Sequence, residues 1–249
     1  PQTSVARRTW RGANNVRPTA SDINRADAHK RQLLSGKSPF VYSAPHQGNE
    51  DVTETRKVLG IPKGRKVLLM SLSSTDEVLA SQVVGLGQSG NYPGTVFGNQ
   101  FEWVEQTIRW AANRGDVTVV VRLHPRDLPN KRESVESEQY SRWIDLLEGY
   151  KPSVAINHPS QRLSFRRVCR AADLVATGWS STAIEAMMLG KVVVTYDSDL
   201  PGFPSDIHVT GETKEQYFRN LDTFINARGY GDKSSALADS WLIHKVVYG

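Results

Sequence analysis

Cysteine is nearly missing from this chain. Cys169 is the single one in 249 residues, so no internal disulfide can form, which fits a reducing compartment and leaves the core to hold the fold. Long apolar runs are missing too: none approaches the ~20 residues that cross a bilayer as a helix, and no signal peptide is legible at the start. The sequence G-x-x-x-x-G-K-[ST] does not occur, nor does G-x-S-x-G. P-loop hydrolysis and α/β-hydrolase chemistry therefore have no support. No Cys/His spacing fits zinc, and no metal site is expected. Internal repeats and low-complexity tracts are lacking as well.

What is present is ordinary for a globular chain, with 39% hydrophobic and 23% charged residues. At 249 residues, one large α/β domain or two small ones can each bury a substantial core. Lys and Arg exceed Asp and Glu by 31 to 26, a net charge of +5. That balance suits nucleotide sugars, polyanionic glycans, nucleic acid or an acidic membrane face without choosing among them. The basic residues are spread along the chain rather than striped with aromatics, so nucleic acid ranks last. The chain opens Pro1-Gln2-Thr3-Ser4 without a methionine, and it is expected to be part of a longer protein.

Residues 1–60 are polar, basic and weakly periodic, with Arg7, Arg8, Arg11 and Arg17 near the start. They read as a linker or the remnant of an N-terminal domain. Helices are expected over Ser21–Leu34 and Val52–Leu59. From residue 61 to 249 the pattern alternates regularly. Strands are expected at Val67–Ser71, Val117–Leu123, Val154–Ile156, Leu174–Ala176 and Val192–Val194. Helices fall between them at Phe101–Asn113, Glu138–Leu147, Leu163–Ala172 and Ala183–Leu189, and Thr213–Ala227 and Ser234–Val247 close the chain. Five strands alternating with helices imply an α/β fold, a doubly wound, Rossmann-like parallel sheet with C-terminal helices.

The stretch Asp173–Tyr196 organises the rest. It reads as strand, tight turn at Gly178, helix, Gly190 stop, strand. Ser180, Ser181 and Thr182 stand where the helix begins, so their hydroxyls and its unpaired N–H groups face an anion. A nucleotide phosphate is expected there. A helix cap without ligand is the alternative, since Thr182 and Glu185 have capping-box spacing. Glu185 can also reach a ribose. At the end of the strongest strand, Arg122, His124, Pro125 and Arg126 gather where open α/β sheets bind ligands. His124 can contact a phosphate or donate a proton to it; an ordinary loop histidine between solvated arginines is the alternative. Ser73, Ser74, Asp76 and Glu77 follow the first strand and face the same rim, either as a helix start or to meet a diphosphate or sugar. His158, before Pro159, repeats the His-Pro pair and is read as lining the nucleotide pocket or as part of a helix-entry turn. Gly85–Gly90 matches G-x-G-x-x-G literally but runs into Asn91-Tyr92-Pro93-Gly94 where a helix must begin, so it reads as a loop. Asp197 and Asp199 could bind a metal, but two carboxylates one residue apart are thin support, and they read as a turn before Pro201-Gly202.

Arg122–Arg126 and Asp173–Ala186 together resemble the C-terminal, donor-binding half of GT-B glycosyltransferases. The similarity is to the capsule and surface polysaccharide group, with its β-Kdo transferases and bacterial sialyltransferases, which carry a His-Pro and a later Ser-Ser/Thr motif. That resemblance implies a transferase acting on a nucleotide sugar, CMP-linked by preference and CDP- or UDP-linked as alternatives, with no cofactor required. It puts His124, Ser180, Ser181 and Thr182 on the phosphate and ribose, and Glu185 near the nucleotide. A glycan or glycolipid acceptor, a cytoplasmic location and peripheral contact with an anionic membrane surface are implied with it. Only one set of strands is legible, so the catalytic base falls to Asp76 or Glu77. A CDP-polyol phosphotransferase and a non-catalytic nucleotide or anionic-glycan module of a larger polymerase are the competing readings.

Overall fold

The computed structural model describes residues 5–36, 51–74, 96–129, 134–150, 153–178, 180–196, 203–227 and 229–248. Six strands form one sheet: β1 Lys66–Ser71, β2 Val117–Arg122, β3 Val154–Asn157, β4 Leu174–Thr177, β5 Val193–Thr195 and β6 Val209–Thr210. Their order is β3-β2-β1-β4-β5-β6 and every pairing is parallel. The five expected strands are all present. β6 was not expected, because two residues are too short to register as an apolar run.

The strands are apolar because helices cover both faces. Along β1, Val67 and Leu69 belong to one buried cluster while Leu68 and Met70 belong to the other, the period-two alternation of a strand between two cores. On the first face lie α6 Phe165–Ala171, α7 Thr182–Met188 and α9 Gly231–Tyr248, through residues such as Val168, Met187 and Trp241. The second is filled by α4 Gln100–Arg114, α5 Glu138–Glu148 and α8 Lys214–Phe224, through Trp103, Trp143 and Tyr217. The molecule is therefore a doubly wound, Rossmann-like α/β sheet.

Before the sheet come α1 Val5–Thr9, α2 Ala20–Leu34 and α3 Val52–Val58. α2 begins one residue earlier than expected, capped by Thr19 in a reciprocal pair with Asp22. Ala6 and Trp10 join the first core. Trp10 meets Trp241 edge-on at 5.5 Å, and its Nε1–H donates to both carboxylate oxygens of Asp206 at 2.9 and 3.0 Å. Lys30 bridges to Asp239 on α9 at 2.6 Å. Among the described residues, no helix is long and apolar enough to cross a membrane.

Candidate functional site

In the order β3-β2-β1-β4-β5-β6 the chain leaves β1 to one side and returns to its other side as β4. The switch point therefore lies between β1 and β4, where such sheets leave a crevice outside their carboxyl ends. Ser71 closes β1 and Thr177 closes β4, paired in register. Thr177 Oγ1 donates to the Ser71 carbonyl at 2.9 Å. Above them, Thr182 Oγ1 lies 3.1 Å from Ser71 Oγ and 2.9 Å from Ser180 Oγ, and Thr182 N–H donates to Ser180 Oγ at 3.3 Å. Three hydroxyls share two oxygen–oxygen contacts. Each hydroxyl carries one hydrogen, so one O–H is left over to point elsewhere.

Gly178 sits at the tight point of this turn. A Cβ there would come within 3.0 Å of Tyr196 Cε1 and 3.3 Å of its hydroxyl, and Tyr196 is itself buried against Phe97. The close approach of the ring favours glycine, since a side chain here would press Tyr196 out of place. Ser181 is exposed and occupies the N-cap position of α7 in helical conformation, with no side-chain cap hydrogen bond. The capping-box alternative is thereby corrected: Thr182 is the first helical residue, and its hydroxyl turns back to Ser71 and Ser180.

On the neighbouring strand ends, Leu72 N–H donates to the Arg122 carbonyl at 3.2 Å and Leu123 N–H to that of Asn157 at 3.3 Å. Arg122 itself is buried. Its guanidinium donates to Asn157 Oδ1 and, at 3.2 Å, to the Leu163 carbonyl, so it is a cation locked under the rim rather than a solvated one. Burial lowers its pKa to about 10 although Glu185 and Cys169 favour its charge. Glu185 is half-buried on α7; burial pushes its carboxyl up to about 7 against the pull of Arg122.

His124 is half-buried and precedes Pro125 in a single 3-10 turn, Pro125–Asp127. Its Nδ1 accepts from Arg126 N–H at 3.3 Å. Burial, with Arg126 and Arg122 nearby, holds its pKa down at about 4. The ring is therefore neutral at pH 7, and with Nδ1 accepting, Nε2 carries the hydrogen. Arg126 is half-buried beside it.

His158 begins the turn Pro159–Gln161 in the same way, its Nδ1 accepting from Ser160 N–H at 3.1 Å. Its Nε2 lies 2.9 Å from the Tyr140 hydroxyl. Both ring nitrogens are thus engaged with protein groups, and the structure does not bring His158 to the hydroxyl turn by any hydrogen bond among the described residues.

Ser73 and Ser74 are buried after β1, and neither hydroxyl has a hydrogen-bond partner among the described residues. Both backbone polar groups of Ser73 are held by Gln100. Asp76, Glu77, Gly85–Gly90, Asp197 and Asp199 lie outside the described residues. Among the described residues no cluster of His, Cys, Asp and Glu could hold a metal ion. Cys169 is buried on α6, its thiol pushed up to about 12 by burial, so it is inert at neutral pH. Sequence reasoning missed Ser71 and Gln100. A serine closing an apolar strand was a usable signal for the first; nothing local marks the second.

No family model matches this chain, and no curated protein matches it in sequence. Solved structures with a similar course include a putative UDP-N-acetylglucosamine 2-epimerase from Listeria monocytogenes, at 14% identity and TM-score 0.47 over 83% of this chain and 48% of that one. KpsC, a beta Kdo 2,4 transferase of Thermosulfurimonas dismutans, has 14% identity and TM-score 0.45 over 91% and 57%. The wall teichoic acid polymerase TagF has 14% and 0.42 over 89% and 43%. The chain spans about half the length of the solved structures it matches. At these identities and scores the likeness lends this chain no residue roles.

Proposed function

We propose that the rim above β1 and β4 holds the phosphate of a nucleotide-activated sugar, and that this chain is the donor-binding part of a GT-B glycosyltransferase. The observation that carries the reading is the knot of Ser71, Ser180 and Thr182 at the switch point, bonded so that one hydroxyl hydrogen is left over. His124 and Arg126 stand on the adjoining strand end. The adjoining strand ends thus bring one uncommitted hydroxyl hydrogen, an imidazole and a guanidinium to the same rim.

In such a transfer the bond between the anomeric carbon and the phosphate oxygen breaks, and its electron pair stays on the phosphate. Fixed donors aimed at that growing charge lower the barrier. Neutral His124 acts by hydrogen-bonding through Nε2–H rather than by giving up a proton, because a group of pKa about 4 is seldom cationic at pH 7. Arg126 supplies the compensating charge, so the reading requires no metal. Arg122 acts from below by holding the ends of β2 and β3 and by its field on Glu185. The acceptor hydroxyl bonds to the anomeric carbon and must lose its proton to a base; Asp76 or Glu77 is proposed for that. A CMP-linked donor is favoured by the motif resemblance, with CDP- or UDP-linked donors next. The acceptor is proposed as a glycan or glycolipid, met in the cytoplasm at an anionic membrane surface.

A thermal-shift screen against CMP, CDP, UDP, GDP and ADP tests the reading. A ligand at a hundred times its Kd adds about 2.7 kcal/mol to the folded state, and cytidine nucleotides are expected to raise Tm most. If none of the five raises it, the rim is not a nucleotide site. Binding without donor turnover, when the full-length protein is assayed, would instead make this a non-catalytic binding module.

A further inference from the structure

Resting on the nucleotide reading of the rim, a second residue outside the strand ends is assigned a part in it. Gln100 is the first residue of α4, on the far side of a long connection from β1. Its side chain is buried and turned onto the backbone of Ser73: Oε1 accepts from Ser73 N–H at 2.9 Å and Nε2 donates to the Ser73 carbonyl at 3.0 Å. A glutamine used this way replaces a strand partner, supplying one acceptor and one donor to a single residue just past the end of the sheet.

The position of that residue gives the clamp its meaning. Ser73 lies two residues beyond Ser71, whose hydroxyl belongs to the Ser180–Thr182 knot and whose carbonyl receives Thr177. The course of the chain after β1 therefore decides how the crevice between β1 and β4 is walled. Ser73 spends both backbone groups on Gln100, which leaves the Ser73 and Ser74 hydroxyls as the side-chain polar groups of this turn. Both are buried with no partner among the described residues, and buried hydroxyls are seldom left so. Cap duty alone does not account for Gln100, because the helix start is capped by its neighbour: Asn99 Oδ1 accepts from Glu102 N–H at 2.9 Å.

We propose that Gln100 is a positioning residue of the nucleotide rim: by clamping the backbone of Ser73 it fixes the turn after β1 against the hydroxyl knot, without touching the ligand. The division of labour between Asn99 and Gln100 makes this testable. Gln100→Leu keeps the side-chain bulk and removes both hydrogen bonds, while Asn99→Ala removes only the helix cap.

The experiment measures nucleotide Kd by calorimetry, ligand-free Tm, and the backbone amide resonance of Ser73 in labelled protein. Gln100→Leu is expected to weaken CMP binding about tenfold and to move the Ser73 amide resonance. Asn99→Ala is expected to lower Tm with Kd and the Ser73 resonance unchanged. Should wild type bind no nucleotide, the reading of the rim fails and the clamp is structural only. If wild type binds and Gln100→Leu binds equally tightly, the inference fails while the reading stands. Equal loss of affinity in both variants would also overturn it, since helix stability would then explain the effect.

Discussion

At the scale of single residues, His124 and Glu185 are the two rim candidates whose protonation is displaced, each by burial beside a cation. His124 has one duty in the structure and one proposed: Nδ1 caps its own turn, and Nε2–H is the group proposed for the ligand. Asparagine is a good cap but lacks a donor at the reach of Nε2. His124→Asn should keep stability within about 0.5 kcal/mol of wild type and weaken nucleotide binding roughly tenfold. His124→Ala should lose the same affinity and up to about 1 kcal/mol of stability. Calorimetry with CMP, next to urea unfolding, separates the two duties. Unchanged affinity in both variants would make His124 a cap and nothing more.

The two groups also oppose one another in pH. Glu185 holds its proton more tightly folded, at about 7, than at its ordinary 4.5. Its contribution is whole below the ordinary value and lost as pH rises through 7. His124 is held at about 4 against an ordinary 6.5, so its contribution is whole above 6.5 and lost as pH falls through 4. Glu185→Gln should therefore flatten the decline of Tm between about pH 5 and pH 8, leaving the acid limb in place. Parallel curves for variant and wild type would show that Glu185 is ionised across that range.

Among elements, the turn between β4 and α7 shows how a sequence can be right in position and wrong in bonding. Three hydroxyls at a helix start look like caps, and Ser181 even holds the N-cap position, yet it makes no cap bond. Thr182 does the structural work through Ser71 and Ser180. Ser181→Ala should leave stability within about 0.5 kcal/mol, whereas Thr182→Ala should cost about 1–2 kcal/mol by breaking the knot. Denaturant midpoints decide between this and a conventional cap, which would reverse the two. Ser181 remains proposed for the ligand, and its alanine variant should then lose nucleotide affinity.

The repeated His-Pro pair gives a second lesson at this scale. His124 and His158 end neighbouring strands and begin matching 3-10 turns, each followed by its proline and each accepting an N–H two residues on. The local sequence makes the two alike. At His158 a further partner comes from α5, whose Tyr140 hydroxyl lies 2.9 Å from Nε2. That contact is made by a helix docked across the chain and is invisible in the local sequence.

For the molecule as a whole, the N-terminal segment is packed onto the end of the chain. Trp10 inserts beside Trp241 and His244, and His244 Nε2–H donates to the Ala6 carbonyl at 2.9 Å. Residues expected as a linker or the remnant of an N-terminal domain contribute to the first core through Ala6 and Trp10. Trp10→Ala should cost about 3–5 kcal/mol, the scale for a buried aromatic cut to alanine, and chemical denaturation would measure it. A loss under about 1 kcal/mol would show that α1 rests on the domain without supporting it.

The sequence by itself determined the elements of the sheet and their faces. Short apolar runs at Val67–Ser71 and Val117–Leu123 read as buried strands, and the helices between them favour parallel pairing. It put Ser180, Thr182, His124 and Arg126 on one rim, because parallel strands present all their carboxyl ends to one side; why position 178 is glycine came only with the packing of Tyr196. Only the tertiary structure decided bonding between elements distant in sequence. It turned Arg122 from a ligand candidate into a buried cation held by Asn157, drew Gln100 to Ser73, and set Trp10 against α9. The physical reason is one of range. Periodicity and turn chemistry act over a few residues, while the partner of a buried polar group is fixed by whichever distant element packs beside it.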